Sequence, residues 1–533
     1  MSLSRHHFAR RAKNSEISRR AALLGAVAAA ACTTTAPPAP QAPADPEADA
    51  NFRALIERLG GDSVSGAERI TALRNVERPK LSAPNHILLD SVLEGAAADA
   101  ALADFPYAQG PLYIVTARGG TWRAMPTLAL PIDPDTSQAS RAYVGAVDAE
   151  TARLQANAAA GVIAPASVLD GAIRAVQTAA GPATEHGAAL QRQLAVLQDL
   201  RKRTPPGDGI WRLPRGDEAY AHQLSVVLGA TTNPQQAHTQ ALAQCTELQA
   251  EADRLLKAQG LSEGDVGARL RTLMQNPRYL YPDSDDGKNA AVTYMNLRLA
   301  RARELMPHAF AAGLEQTPAQ VVRMSASDEA LHAAGRRERQ SYIVDLSHIR
   351  NRPSWTLPSV VHHELLPGHL LQGPLGEAAN ASRLQYRYAG GYSEGWAIYA
   401  ERLMVEQGAF ADDPLAHIGY LQWMLFRIGR IVADTGVHVM RWDRARAIAE
   451  LRALQGDSIA FITIEEDVDR IILQPGVYAA QGLAALAIHD VRENVKRRAG
   501  SRFSLPRFHD AMLRSGPLSP PGLARAADVA FAL

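Results

Sequence analysis

From about residue 48 onward, apolar residues recur at three- and four-residue spacing, the period of helices that bury one face. The pattern is clearest over 186–203, 236–259, 290–306 and 416–433. In the last segment Ile418, Leu421, Leu425, Ile428 and Val432 form one stripe, and Asp434-Thr435-Gly436 predicts a glycine stop. Thr463 and Glu466 have the spacing of a capping box that opens a further helix. Strand signals are scarce. The best is Tyr342-Ile343-Val344-Asp345-Leu346, a short β-leaning run. With no internal repeat and no second linker, 48–533 reads as one large, mostly α domain with a small β element.

The first residues follow a different pattern. Arg5, Arg10, Arg11, Lys13, Arg19 and Arg20 stand against one acid, Glu16, and an apolar run from Ala21 to Ala31 ends at Cys32. A basic stretch, a short apolar run and small residues make up an export signal, so 1–32 is expected to be one. The run is about half the ~20 residues a membrane span requires. Ser18-Arg19-Arg20 before Leu23 resembles a twin-arginine signal, with Ala22 where Phe is typical. Ala29-Ala30-Ala31-Cys32 resembles a lipoprotein cleavage box, with Ala29 where Leu is usual. Lipidation at Cys32 would be the chain's membrane contact, and cleavage after a small residue is the alternative. Residues 33–47, rich in Pro, Ala and Thr, read as an extended linker. The expected location is therefore periplasmic or membrane-anchored.

Composition adds mainly exclusions. The 533 residues carry 56 basic against 55 acidic side chains, a formal charge of +1, which gives no electrostatic footprint for nucleic acid. The two cysteines, Cys32 and Cys245, fall in different contexts, so no disulfide is expected. Cys245 lies on a helix as a buried residue, with no His/Asn partner pattern to make it a nucleophile.

Chemistry concentrates in HHELLPGHLLQ, residues 362–372. A zinc hydrolase needs two neutral imidazoles, a third ligand and a carboxylate beside the metal. The familiar H-E-x-x-H places its histidines four apart on one helix face. His363 and His369 are six apart, which on a straight helix leaves them ~120° out of line. Pro367 removes an N–H and crowds the preceding turn, and Gly368 opens backbone angles closed to other residues. A distortion at 366–369 is therefore expected to swing His369 back toward His363, with Glu364 as general base. Thr356 and Pro358 supply the helix start. Downstream, GYSEGWAIYAERLM has Trp396, Tyr399, Ala400, Leu403 and Met404 on an apolar stripe. Glu394 and Glu401, seven apart, share another face. They can serve as third ligand and as the orienter of a ligand histidine, or as two solvated glutamates.

These residues resemble a known family. H-E-x-x-P-G-H followed by Gln, then E-G-W-A-x-Y-A-E about 25 residues later, is similar to the bacterial family catalogued as domain of unknown function 885. The family looks like all-α zinc peptidases of gluzincin type, related in plan to thimet oligopeptidase and carboxypeptidase Taq. The resemblance implies His363, His369 and Glu394 as ligands of one Zn2+ per chain, and Glu364 as base. Asp434-Thr435-Gly436-Val437-His438, Asp469-Arg470 and Pro475-Gly476 match further family segments. Leu370 stands where the family usually has a second histidine. A tyrosine expected after the Pro-Gly is matched only by Tyr478, in an interval about two residues short.

The resulting expectation is an exported zinc metallopeptidase acting on peptides, with His438 and Tyr478 as candidate donors to the oxyanion. The β run at 342–346 is expected to pair with extended substrate, or to be an ordinary hairpin. Arg492 is a candidate for a substrate carboxylate or a surface salt bridge. Two other readings remain open: a metal-dependent hydrolase of a non-peptide amide or ester, and a lipid-anchored binding protein with an inactive metal site.

Overall fold

The computed structural model describes residues 45–533, apart from 109, 129–133, 182–184, 332 and 460–461. The export signal, Cys32 and most of the linker lie outside the described residues. The first helix begins at Pro46, inside the stretch read as linker, because Asp45 caps it through the backbone N–H groups of Glu47 and Ala48. From there the chain is a mostly α single domain with one small three-stranded sheet.

The predicted helices are present at Glu185–Arg203, Pro234–Ala258, Asp285–Leu305 and Pro414–His438. The helix Pro414–His438 is the axis of the molecule. Nearly every side chain from Ile418 to His438 is buried, the condition of a helix apolar on all sides. Its stripe of Ile418, Leu421, Leu425, Ile428 and Val432 enters one core with the helix Pro234–Ala258. Trp423 and Phe426, off that stripe, enter a second core that holds the apolar residues around the 362–372 motif. The glycine stop expected at Gly436 is not a stop, since the helix continues to His438. A Cβ on Gly436 would stand 2.3 Å from the Trp442 ring, so the residue is small to let that indole pack.

The β element is three short strands: β1 (Gln320–Arg323), β2 (Arg336–Glu338) and β3 (Ser341–Val344). β3 lies in the centre, parallel to β1 and antiparallel to β2. This corrects the expectation that the 342–346 run pairs with substrate. Both of its edges are already hydrogen-bonded, so an added strand has no free backbone groups there. Tyr342 and Val344 alternate inward into the core that also holds Val360 and Val361 of the motif helix (Leu357–Glu364).

The axial helix fixes where the motif helix starts. Trp423 Nε1–H donates to Thr356 O at 3.0 Å. A Cβ on Gly419 would lie 2.0 Å from Trp355 O, so the two segments meet backbone to backbone. Gly419→Ala is expected to force that contact apart and to cost about 2–3 kcal/mol, as overpacking does, read as a lower urea midpoint with an unchanged m-value.

Candidate metal centre

The motif helix starts as its sequence suggests, with Thr356 at the N-cap and Pro358 in the first turn, and its last helical residue is Glu364. Leu365 leaves helical geometry at φ −109°, ψ −101°. A new helix, His369–Ala378, begins with Gly368 as its N-cap. The break at 365–368 is the expected distortion, and its construction explains the Pro-Gly pair. The Leu366–Pro367 peptide is cis. A Cβ on residue 368 would lie 2.0 Å from His363 O and 2.4 Å from His362 O. The returning chain therefore runs directly under the last carbonyls of the helix it has left, which only glycine allows. Trp396 Nε1–H donates to Pro367 O at 2.9 Å and ties the turn to the helix Tyr392–Glu406.

The consequence is that two histidines six residues apart meet face to edge, with ring centroids 4.9 Å apart and planes at 89°. Glu394, in the first turn of Tyr392–Glu406, completes the group. Its Oε2 is 3.5 Å from His363 Nε2 and its Oε1 is 3.3 Å from His369 Nε2. One donor atom from each of the three residues lies within 4.8 Å of the others.

Both imidazoles are oriented from behind. His363 Nδ1–H donates to Glu401 Oε1 at 2.8 Å, while Ser359 Oγ–H donates to Glu401 Oε2 at 2.5 Å. His369 Nδ1 meets Ser393 Oγ at 3.3 Å, and that hydroxyl donates to Gln372 Oε1 at 3.0 Å. With Nδ1 protonated on each ring, the Nε2 lone pairs face Glu394. His369 Nε2 is buried with no hydrogen-bond partner, an exposed cost unless something occupies that lone pair. Burial lowers the His369 pKa more than Glu394 raises it. Burial and Arg427 push His363 the same way, but Glu394 and Glu401 outweigh them and raise it. Burial would raise the Glu394 carboxyl, yet the two histidines carry it well below the usual carboxylate range. Carboxylates arranged to favour a cation between them, with two imidazole nitrogens and one carboxylate as donors, fit a divalent metal and suit Zn2+.

Beside the triad is a cavity of about 210 Å³ that His363, Glu364 and Glu394 line together. Glu364 is held there by an ion pair with Arg337 of β2. Tyr478 also lines it, its ring 4.7 Å from the Arg430 guanidinium. So does Tyr342 of β3, a residue missed in the sequence because its strand was read for backbone pairing rather than for its side chains. Four arginines that sequence reasoning gave no role also line the cavity: Arg352, Arg427, Arg430 and Arg470. Two of them carried a signal, since Arg427 and Arg430 interrupt the apolar run of the axial helix at helical spacing. Charges so placed are costly unless they face a partner or a site.

His438 is elsewhere. It is fully buried, accepts the Ile210 N–H at Nδ1 (3.1 Å) and donates from Nε2 to Ile471 O (3.0 Å). Burial lowers its pKa to about 4, so it is neutral. With both nitrogens committed and no share in the cavity, it cannot donate to an oxyanion there, which corrects that expectation. Its neighbour Asp434 is structural too. It accepts the N–H groups of Gly476 and Ala479, each at 3.0 Å, at the start of the helix Val477–Ala499, and the Tyr220 hydroxyl at 3.0 Å. Arg492 pairs with both oxygens of Glu406, at 2.7 and 3.0 Å, and is a salt-bridge residue, buried rather than on the surface. Cys245 is buried, as expected, and burial pushes its thiol up to about 12.

Residues 67–526 match the family described as bacterial protein of unknown function (DUF885), and the chain belongs to that family. Its fold is that of two solved structures. One is the crystal structure of a candidate lipoprotein from Colwellia psychrerythraea, at TM-score 0.68 and 21% identity, covering 91% of this chain and 96% of that one. The other is a candidate lipoprotein of unknown function from Shewanella oneidensis, at TM-score 0.65 and 19% identity, covering 90% and 93%. No functionally curated protein matches.

Two substitutions separate the site from the scaffold. Glu401→Gln keeps the shape but weakens the acceptor behind His363, and should lower zinc affinity about 10–100-fold, measured by competition with a chelating dye. His438→Ala strands a buried N–H and a buried carbonyl and should cost about 3–4 kcal/mol by urea unfolding, with zinc content unchanged.

Proposed function

We propose that this family member is an exported zinc-dependent metallopeptidase, with His363, His369 and Glu394 as metal ligands and Glu364 as general base. The observation that carries the proposal is the convergence of the three donors beside a cavity that Glu364 shares. A structural metal site is closed by four ligands and has no use for an adjacent carboxylate outside the ligand set. Three ligands with a base beside them is the arrangement of a hydrolase.

When bound, Zn2+ supplies a Lewis acid that lowers the pKa of water toward neutrality. The other roles belong to the chain. His363 and His369 offer Nε2 and keep Nδ1 engaged behind, so neither ring can rotate away. Glu364 takes the proton from the attacking water and returns it to the leaving amine, while Arg337 holds its carboxylate at the cavity wall. Tyr342 and Tyr478 line the same cavity, and among the described residues neither hydroxyl has a protein hydrogen bond. Burial raises both phenols, so they stay O–H donors at neutral pH and can support a carbonyl oxygen as it gains charge. Export rests on the basic-then-apolar pattern of residues 1–32 and on the likeness to two candidate lipoproteins, with Cys32 as the lipidated residue.

The test pairs metal content with peptide hydrolysis on wild type and Glu364→Gln. One zinc per chain in both, with hydrolysis lowered by at least about 10²-fold in the variant, is the expected outcome. A wild type that binds no zinc, or a variant that cleaves equally well, would defeat the proposal. A parallel panel of non-peptide amides and esters reports whether peptides are the preferred class.

A further inference from the structure

The arginines in the cavity wall are not equally satisfied. Arg430 is: its guanidinium makes a two-point pair with buried Asp467, at 2.9 and 2.5 Å. The other three are not. Arg427 is 8% exposed, yet its Nε is buried without a hydrogen bond. Its nearest carboxylate oxygen is Glu401 Oε1 at 3.5 Å, and both oxygens of Glu401 are already spent on His363 and Ser359. Arg352 is 4% exposed, and its nearest carboxylate is Asp345 at 4.0 Å, beyond hydrogen-bond reach. Arg470 is only partly buried and, among the described residues, has no carboxylate within ion-pair distance. Glu394 belongs to the metal group and Glu364 to Arg337, so neither is free to neutralise these cations.

A guanidinium cannot shed its proton inside a protein, so burial does not neutralise it. It needs an anion, and the planar fork suits a carboxylate. We infer that Arg427, Arg470 and Arg352 receive a carboxylate of the substrate, holding it beside the metal group so that the bond cleaved lies close to a free carboxyl end. This rests on the hydrolase reading above and names the substrate class of that site. The cavity, at about 210 Å³, is smaller than the ~300–1,000 Å³ of ordinary ligand pockets. It suits a terminal residue better than a chain running through. The same wall would accept the carboxylate of an Asp or Glu side chain, and the two sources differ in what amidation removes.

Binding, rather than turnover, tests this. Zinc-loaded protein carrying Glu364→Gln is titrated calorimetrically with acetyl-Ala-Ala, with its C-terminal amide, and with the amide of acetyl-Ala-Glu. The free acid should bind about 10–100-fold tighter than the plain amide, the scale of charge-assisted hydrogen bonds. Recovery of that affinity by the Glu-containing amide would assign the carboxylate to a side chain. Failure to recover it would assign it to the C-terminus. Arg470→Gln should shrink the acid-to-amide ratio toward one while zinc content holds. Equal binding of acid and plain amide to the protein that keeps Arg470 overturns the inference without the Arg470 variant having to fold. It would leave the hydrolase proposal standing, because that proposal is judged by zinc content and cleavage alone. Equally, an absence of cleavage would leave this titration readable.

Discussion

Everything at the site depends on one close approach, the backbone of Gly368 beneath the carbonyls of His362 and His363. Those carbonyls end the motif helix and have no intrahelical partners, so the chain there is free to change direction. The turn uses that freedom. Pro367 brings no N–H that must be satisfied, and glycine brings no side chain to hold the strands of the turn apart. The two histidines are then set by two helix ends that nearly touch, one closing a helix and one opening the next. In H-E-x-x-H, helical pitch itself aligns the ligands. Here the alignment comes from tertiary contact, and the indole of Trp396 that grips Pro367 O is part of it.

That construction obliges the core to carry charge. Glu401 is fully buried, and taking a carboxylate out of water costs several kcal/mol unless its oxygens are hydrogen-bonded. Ser359 and His363, both on the motif helix, supply the hydrogen bonds, and Arg427 of the axial helix adds its charge from 3.5 Å. Ser359 and His363 are four apart and so share a helix face. One buried carboxylate therefore reads the rotation of the motif helix and transmits it to the His363 ring. Removing any member leaves the others unpaired in a dry interior, so the network specifies geometry more than it adds stability.

The sequence showed the pieces with local rules. The helix period, the capping box at Thr463 and Glu466, the start at Thr356 and the break at 366–369 are all local, and all are present. Glu394 and Glu401 were legible as a pair because a seven-residue interval keeps one helix face. What failed depended on the other side of a contact. Gly436 looked like a stop, but its size answers to Trp442. His438 looked chemical, but Ile210 and Ile471 claim both of its nitrogens. The β run looked available, but β1 and β2 flank it. No residue-level pattern announces a partner more than 200 positions away, as Ile210 is from His438.

The axial helix shows why charged residues in an apolar run need to be sorted by what they touch. Near its C-terminal end, Asp434 turns inward and takes the first N–H groups of Val477–Ala499, a purely structural contact. One and two turns earlier, Arg430 and Arg427 turn toward the cavity. Arg430 is locked by Asp467 and forms wall. Arg427 is held only loosely by a carboxylate that is already shared, and its Nε has no hydrogen bond. Two arginines on one helix, three residues apart, thus differ in the one respect that matters for binding: whether the protein has already supplied the anion. Stability alone would favour closing both pairs, since a buried cation without a hydrogen-bonded anion is among the costlier things a fold can keep. Keeping one open is intelligible if its partner arrives with the substrate.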